Sequence, residues 1–299
     1  MTTPRWSYEP TGGHAPERPP GPTALRMVLG SQLRRLREAR GITAGAAGQA
    51  IRASHAKISR MELGRVGFRE RDVMDLLTFY GITDERERAA LLALVRRANV
   101  PGWWHQYSDI VPSWFEIYLG LEQASSVIRT YQPQLVPGLL QTPEVARAVI
   151  QLGYPRRSAN DVERRLALRM TRQEILTQRE APQLWAVMEE ASLWRLDGRS
   201  VMRKQIEHLI KMAELPNVTV QVIPIHSGPH AALGGPFSLL RFSEPDLPDL
   251  VYLEQLSSSL YLDKTEDVQH YREVMDRLSI QAKTPTETIE FLGGTLKEL

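Results

Sequence analysis

Between Ser54 and Glu62 the chain reads Ser-His-Ala-Lys-Ile-Ser-Arg-Met-Glu. At helical spacing Ile58 and Met61 fall on one side, while His55, Ala56, Lys57, Ser59 and Arg60 lie outward or sideways. Two long cationic donors therefore share a face with a histidine. A helix presented this way fits the major groove of duplex DNA, where arginine pairs bidentately with guanine O6 and N7. These five residues are the candidate base readers. The backbone N–H groups at the helix starts behind Thr43 and Ser54, with Arg65, Arg69 and Arg71 just downstream, are the candidate phosphate grips.

Other constellations point to less. Trp103, Trp104, His105 and Tyr107 are candidates for the floor of a ligand pocket, although aromatic residues beside a domain start more often form a packing junction. His226 and His230 have i, i+4 spacing, but Gly228 and Pro229 between them forbid the helix that would turn that spacing into a metal site. Glu189, Glu190 and Glu254 are carboxylates whose relative geometry no spacing fixes. The arginines from Arg156 to Arg179 alternate with Glu163 and Glu174, as on a solvated or partner-facing helix. There is no phosphate-binding glycine loop, dinucleotide fingerprint or Gly-x-Ser-x-Gly elbow, and no cysteine for a zinc site, a disulfide or a thiol nucleophile. No catalytic residue, metal or cofactor is assigned, and no enzymatic activity is expected.

The elements that must position the cationic helix are legible upstream and downstream of it. Leu29, Leu33 and Leu36 make one apolar stripe, and Gly41 ends that helix. Thr43 caps a short second helix up to Ile51, in which Gly45 and Gly48 each cost roughly 1 kcal/mol relative to alanine, so it depends on tertiary packing. Ser54 caps the third helix and Gly64 ends it; a fourth spans about Glu70 to Tyr80, and a fifth starts at Thr83/Asp84. Beyond Val100 the pattern predicts helices after Ser113 and Thr142, an arginine-rich helix from Ala159 to Thr177, a helix from Val201 to Glu214 and one from Glu266 to Ala282. Strands are predicted at Leu184 to Met188, Val218 to Ile223, Phe237 to Phe242, Leu250 to Glu254 and Ser259 to Leu262. The fold expected is an all-α five-helix domain followed by an α+β domain with a mainly antiparallel sheet. The divisions are a disordered arm at 1–23, the helical reader at 24–99, the α+β domain at 100–285 and a tail at 286–299, with a hinge at Asn99 to Gly102.

Charge supports a division of labour. The 299 residues carry a formal +2, with 42% hydrophobic and 24% charged residues, as in ordinary globular proteins. Residues 1–100 are net +7 and residues 101–299 net −5, and from Ala24 to Arg71 the balance reaches +8. That is the electrostatic footprint of a phosphate-binding module joined to a domain that repels nucleic acid. The longest apolar stretch, Ala89 to Val95, is too short for a bilayer, so no membrane association is expected and the cytoplasm, at the nucleoid, is the expected location.

Two resemblances sharpen this. Leu33-Arg34-Arg35-Leu36-Arg37, Gly41-Ile42-Thr43 and Lys57-Ile58-Ser59-Arg60-Met61-Glu62-Leu63-Gly64 resemble the phage-repressor, Cro-like (XRE) class of helix-turn-helix. The resemblance implies a five-helix fold, base contacts from His55, Ala56 and Arg60, an ion pair between Arg37 and Glu62, and a homodimer on double-stranded DNA with a near-palindromic operator. The segments Gly102-Trp103-Trp104-His105, Tyr131 to Thr142, Gly235 to Phe242 and Val251-Tyr252-Leu253-Glu254 resemble the actinobacterial WhiJ-like, antitoxin-like regulators. That group implies transcription control and, in the alternative, an antitoxin-like protein that binds a small acidic partner protein and regulates its own operon.

Overall fold

The computed structural model describes residues 21–299 except 197, 233, 245 and 246, so the arm expected at 1–23 lies outside the described residues up to 20. Its last residues belong to the fold: Pro22 opens α1 (Pro22–Ala39) and Thr23 is buried.

The reader comprises α1, α2 (Ala44–Ala50), α3 (His55–Glu62), α4 (Glu70–Phe79) and α5 (Glu85–Ala98). Caps set the starts: Thr43 accepts from Ala46 N–H, Ser54 from Lys57 N–H, and Asp84 from Arg86 and Glu87 N–H. Four helix ends close with the paired hydrogen bonds of a Schellman turn, at Gly41, Arg52, Gly64 and Gly81. All four hold a left-handed φ, of 63°, 55°, 65° and 70° in chain order, and Arg52 does so with a Cβ. Leu29, Leu33, Ala47, Ile58, Met61 and Leu77 pack together behind this frame.

After Val100, a 3₁₀ turn (Trp103–Tyr107) leads into α6 (Ser113–Ala124), β1 (Ser125–Gln132), α7 (Pro143–Gly153), α8 (Ala159–Gln173), β2 (Gln183–Glu189), the single turn α9 (Ala191–Trp194), α10 (Arg199–Met212) and β3 (Val218–Ile223). Then come β4 (Phe237–Phe242), β5 (Leu250–Glu254), β6 (Ser259–Leu262), α11 (Thr265–Gln281) and α12 (Pro285–Glu298). The strands form one sheet in the order β3-β2-β1-β4-β5-β6. β1, β2 and β3 run parallel, joined by the helical crossovers such pairing requires, whereas β1/β4, β4/β5 and β5/β6 are antiparallel, so three of the five pairings are antiparallel. Ile128 stands at the centre, opposite Leu184 on one side and Leu240 on the other. Each face carries a core: Ile128, Leu184 and Leu240 pack toward α6, α10 and α12, and Tyr131, Val187 and Val251 pack toward α11.

Three features depart from the sequence reading. β1 follows α6 without an intervening turn: the last carbonyls of the helix give way directly to Ser125, already extended at ψ 138°. The segment read as a tail at 286–299 is α12, entered through a Thr284/Glu287 capping box with Pro285 in the first turn. Its entry seals the outer edge of β3, with Lys283 N–H donating to Val222 O and Val222 N–H donating to Thr288 Oγ1. The hinge at Asn99 to Gly102 is bypassed. Asn99 is pinned to both backbone groups of Phe68, and α1 sends Leu29 and Leu33 into the reader core but Ala24 and Met27 into the core of the sheet domain. At that crossing Gly120 of α6 lies so close to Thr23 that a Cβ there would overlap the threonine side chain.

Candidate nucleic-acid interface

The presentation of α3 begins with what holds its back. Ile58 and Met61 are buried, and α1 approaches so closely at Gly30 that a Cβ there would lie 2.5 Å from the carbonyl oxygens of Met61 and Glu62. The C-terminal end is fixed by Arg37, whose Nε and Nη2 donate to Glu62 Oε1 and Oε2 at 2.6 and 2.9 Å, and whose Nη1 donates to Ile42 O at 2.8 Å. The hydrogen bond to Glu62 holds the Arg37 proton more tightly than usual. Burial, with Glu62 nearby, pushes the Tyr80 phenol beneath this pair up to about 12.

The front of α3 divides into two sets. His55, Ala56 and Arg60 are exposed, and Arg60 only touches its own helix, with Nε donating to Ala56 O at 3.3 Å. Lys57 and Ser59 are half-buried, and Lys57 Nζ is engaged with Asp72 Oδ2 on α4 at 2.6 Å. A donor so paired must leave a carboxylate before it can reach a base. Thr43 and Ser54 use their hydroxyl oxygens to cap α2 and α3, at 3.1 and 3.2 Å, and keep a hydroxyl proton for an outside acceptor. Arg69 and Arg71 are exposed where α4 begins, and the exposed Arg52, not singled out by spacing, sits in the turn between α2 and α3. Arg65, expected to grip a phosphate, faces the sheet domain instead of the front of α3: its Nη2 donates to the main-chain oxygen of Tyr261 on β6 at 3.0 Å, with the guanidinium 5.6 Å from the tyrosine ring centre.

The remaining candidates resolve into packing and pairing. Trp103 packs edge to face against both Trp104 and Tyr107, the three cluster with Ile110, Val111 and Leu168, and His105 is exposed. They fill the junction, and Trp103 borders a small cavity shared with Glu122, Gln123 and Arg172. Three of the seven arginines in the run pair with carboxylates, Arg157 with Asp161, Arg164 with Asp109 and Arg172 with Glu122, while Arg165 lies over the Tyr154 ring and Arg169 donates to Gln141 Oε1. Glu189 accepts from Tyr131 Oη at 2.6 Å and meets His230 Nε2 at 2.9 Å; Glu190 accepts from Trp194 and from Ile225 N–H. Glu254 accepts from Tyr252 at the end of β5, with β1 and β4 between it and β2. The three carboxylates therefore form no single site. His226 lies in a 3₁₀ turn that ends at Gly228 with φ 76°, which separates it from His230 along the backbone.

Residues 28–91 match the family model described as a helix-turn-helix domain, and residues 115–294 match one described as a domain of unknown function, DUF5753. The chain belongs to the DUF5753 family. No curated protein and no solved structure matches it. The helix-turn-helix match covers α2, α3 and the helices that frame them, so this DUF5753 chain is a DNA-binding regulator. The DUF5753 match starts within α6 and ends within α12, so the segment first read as a tail lies largely inside the family's domain. Among the described residues no helix is long and apolar enough to cross a membrane.

Proposed function

We propose that this DUF5753 chain is a dimeric, sequence-specific transcription regulator of the Cro-like type, in which α3 enters the major groove and the sheet domain receives a signal from a ligand or partner protein. The observation that carries the reading is the asymmetry of α3: buried at Ile58 and Met61, clamped at Glu62, and open at His55, Ala56 and Arg60. The net-acidic sheet domain disfavours contact with DNA, which leaves it for dimerisation and sensing in this reading, and a dimer would set two copies of α3 about 34 Å apart on one side of the duplex. No catalytic role is assigned. The carboxylates Glu189, Glu190 and Glu254 are each engaged by neighbouring donors.

The test is a binding titration at several salt concentrations on a duplex selected by the wild-type protein and on a random duplex. Arg60→Ala is expected to cost ~1–3 kcal/mol on the selected duplex and little on the random one. Arg69→Ala or Arg71→Ala should weaken both duplexes alike and flatten the salt slope by about 0.9 each. Equal losses on both duplexes for Arg60→Ala would remove that residue from base reading. A small acidic protein recovered in stoichiometric amount with the chain would favour the antitoxin-like reading, in which DNA binding serves autoregulation.

A further inference from the structure

Arg65 leaves the C-terminal turn of α3 at Gly64, the point from which the reading helix is aimed. It points away from the cationic front, into the sheet domain. Its Nη2 donates to Tyr261 O at 3.0 Å and its guanidinium sits over the Tyr261 ring. Tyr261 is itself fixed on both sides. Its hydroxyl donates to Trp114 O on α6 at 2.7 Å, and its ring lies 5.3 Å from that of Tyr252, its partner across β5/β6. Tyr252 in turn lies 4.0 Å from Tyr118, whose hydroxyl donates to Glu122 of the buried Glu122–Arg172 pair. The receiving strand is thus the edge of the sheet, but an edge anchored through three tyrosines to the centre of the domain.

We propose that Arg65 is a positioning residue for the reading helix, and that the Arg65–Tyr261 contact is where the sheet domain sets DNA affinity. The proposal rests on α3 being the DNA reader. Glu62 and Arg65 lie three residues apart and are held by different domains, Glu62 by α1 and Arg65 by β6. A shift of β6 relative to α6 pulls on one while the other stays fixed, which changes the tilt of α3. This gives the domain coupling a defined route and differs from a phosphate contact, which would need Arg65 to abandon Tyr261.

Wild type, Arg65→Ala, Tyr261→Ala and the double variant are compared on the wild-type-selected duplex and on a random duplex over a range of salt, and hydrogen exchange of residues 55–66 is followed in the free proteins. Each single variant is expected to lose about tenfold on the selected duplex. The double variant should lose no more than the worse single, the salt slope should stay at its wild-type value, and exchange in α3 should accelerate. A slope flattened by about 0.9 in Arg65→Ala, with Tyr261→Ala binding as wild type does, makes Arg65 a phosphate ligand and overturns the proposal. Additive losses, or unchanged exchange, overturn it as well. Arg65 is only half-buried, so its alanine variant carries the test if Tyr261→Ala fails to fold. If wild type selects no duplex, the DNA-reading function has failed, and the exchange result still decides whether the contact holds α3.

Discussion

The reader and the sheet domain each bury an arginine against a glutamate through two parallel hydrogen bonds, and the two pairs hold different things. Arg37–Glu62 joins α1 to the end of α3, with side chains 10% and 8% exposed, and it keeps an outlet: Arg37 Nη2 also reaches Glu38, whose side chain is half exposed. Arg172–Glu122 joins α8 to α6, with side chains 13% and 2% exposed, under the rings of Phe115 and Tyr118 and with Tyr118 Oη donating to the same carboxylate. Burial works against the Arg172 charge, but Glu122 beside it holds that proton more tightly than usual. The same chemistry thus locks a working surface in one domain and an interior in the other. What else can hold the stranded arginine decides what removal of its partner costs.

The largest effect should separate them. Glu122→Ala leaves the Arg172 guanidinium among aromatic rings without its hydrogen-bonded carboxylate, and is expected to destabilise the chain by about 3–5 kcal/mol. Glu62→Ala leaves Arg37 with Glu38 and Ile42 O, so its cost should be smaller, near the lower end of that range at ~3 kcal/mol. Only Glu62→Ala should weaken DNA binding beyond its effect on stability. Urea unfolding of the full chain measures the first difference, and equal losses would mean that the outlet through Glu38 contributes nothing. Replacing Arg172 and Glu122 together by methionine and leucine should recover most of the loss, because an apolar pair leaves no charge stranded.

The reader was largely legible because its instructions are local. Thr43, Ser54 and Asp84 start helices and Gly41, Gly64 and Gly81 end them, each within three residues of the groups it satisfies. Partners far along the chain were not legible: Lys57 meets Asp72 after 15 residues and Arg65 meets Tyr261 after 196. Neither alternation nor periodicity reports such pairs. β1 escaped notice because α6 runs into it without a glycine or proline, and α12 was missed although Thr284-Pro285-Thr286-Glu287 carries a full capping signature. The parallel half of the sheet follows from the α7–α8 and α10 crossovers, but strand order is a tertiary property.

Two glycines test how tightly each domain is held to α1. Gly30→Ala drives a methyl group into backbone oxygens of α3 at 2.5 Å, which no rotamer change relieves, and should cost ~1–3 kcal/mol together with a loss of DNA affinity. Gly120→Ala brings a methyl group within 2.5 Å of Thr23 Cβ, which turning the threonine side chain does not move, so the helices must separate and the expected cost falls in the same ~1–3 kcal/mol range, but with DNA affinity preserved. Thermal denaturation ranks them. A larger loss for Gly120→Ala would make the α1–α6 crossing the tighter contact.

The smallest effect concerns the four Schellman turns, three built on glycine and one on Arg52. At Arg52 N–H and Ala53 N–H the chain donates to Gln49 O and Gly48 O, the same pattern that Gly41, Gly64 and Gly81 use, but with φ 55° imposed on a residue that carries a Cβ. Holding a non-glycine residue there costs roughly 1–2 kcal/mol, part of which glycine returns in the greater freedom of its unfolded chain. Arg52→Gly should therefore stabilise the protein by about 1 kcal/mol. It also removes an exposed cation two residues before the Ser54 cap, where a DNA backbone passing the start of α3 would lie. Stability is expected to rise while affinity for all duplexes falls, with the salt slope flattened by about 0.9. A stability gain with unchanged DNA binding would place the backbone of the duplex elsewhere and leave the arginine in that turn without a functional reason.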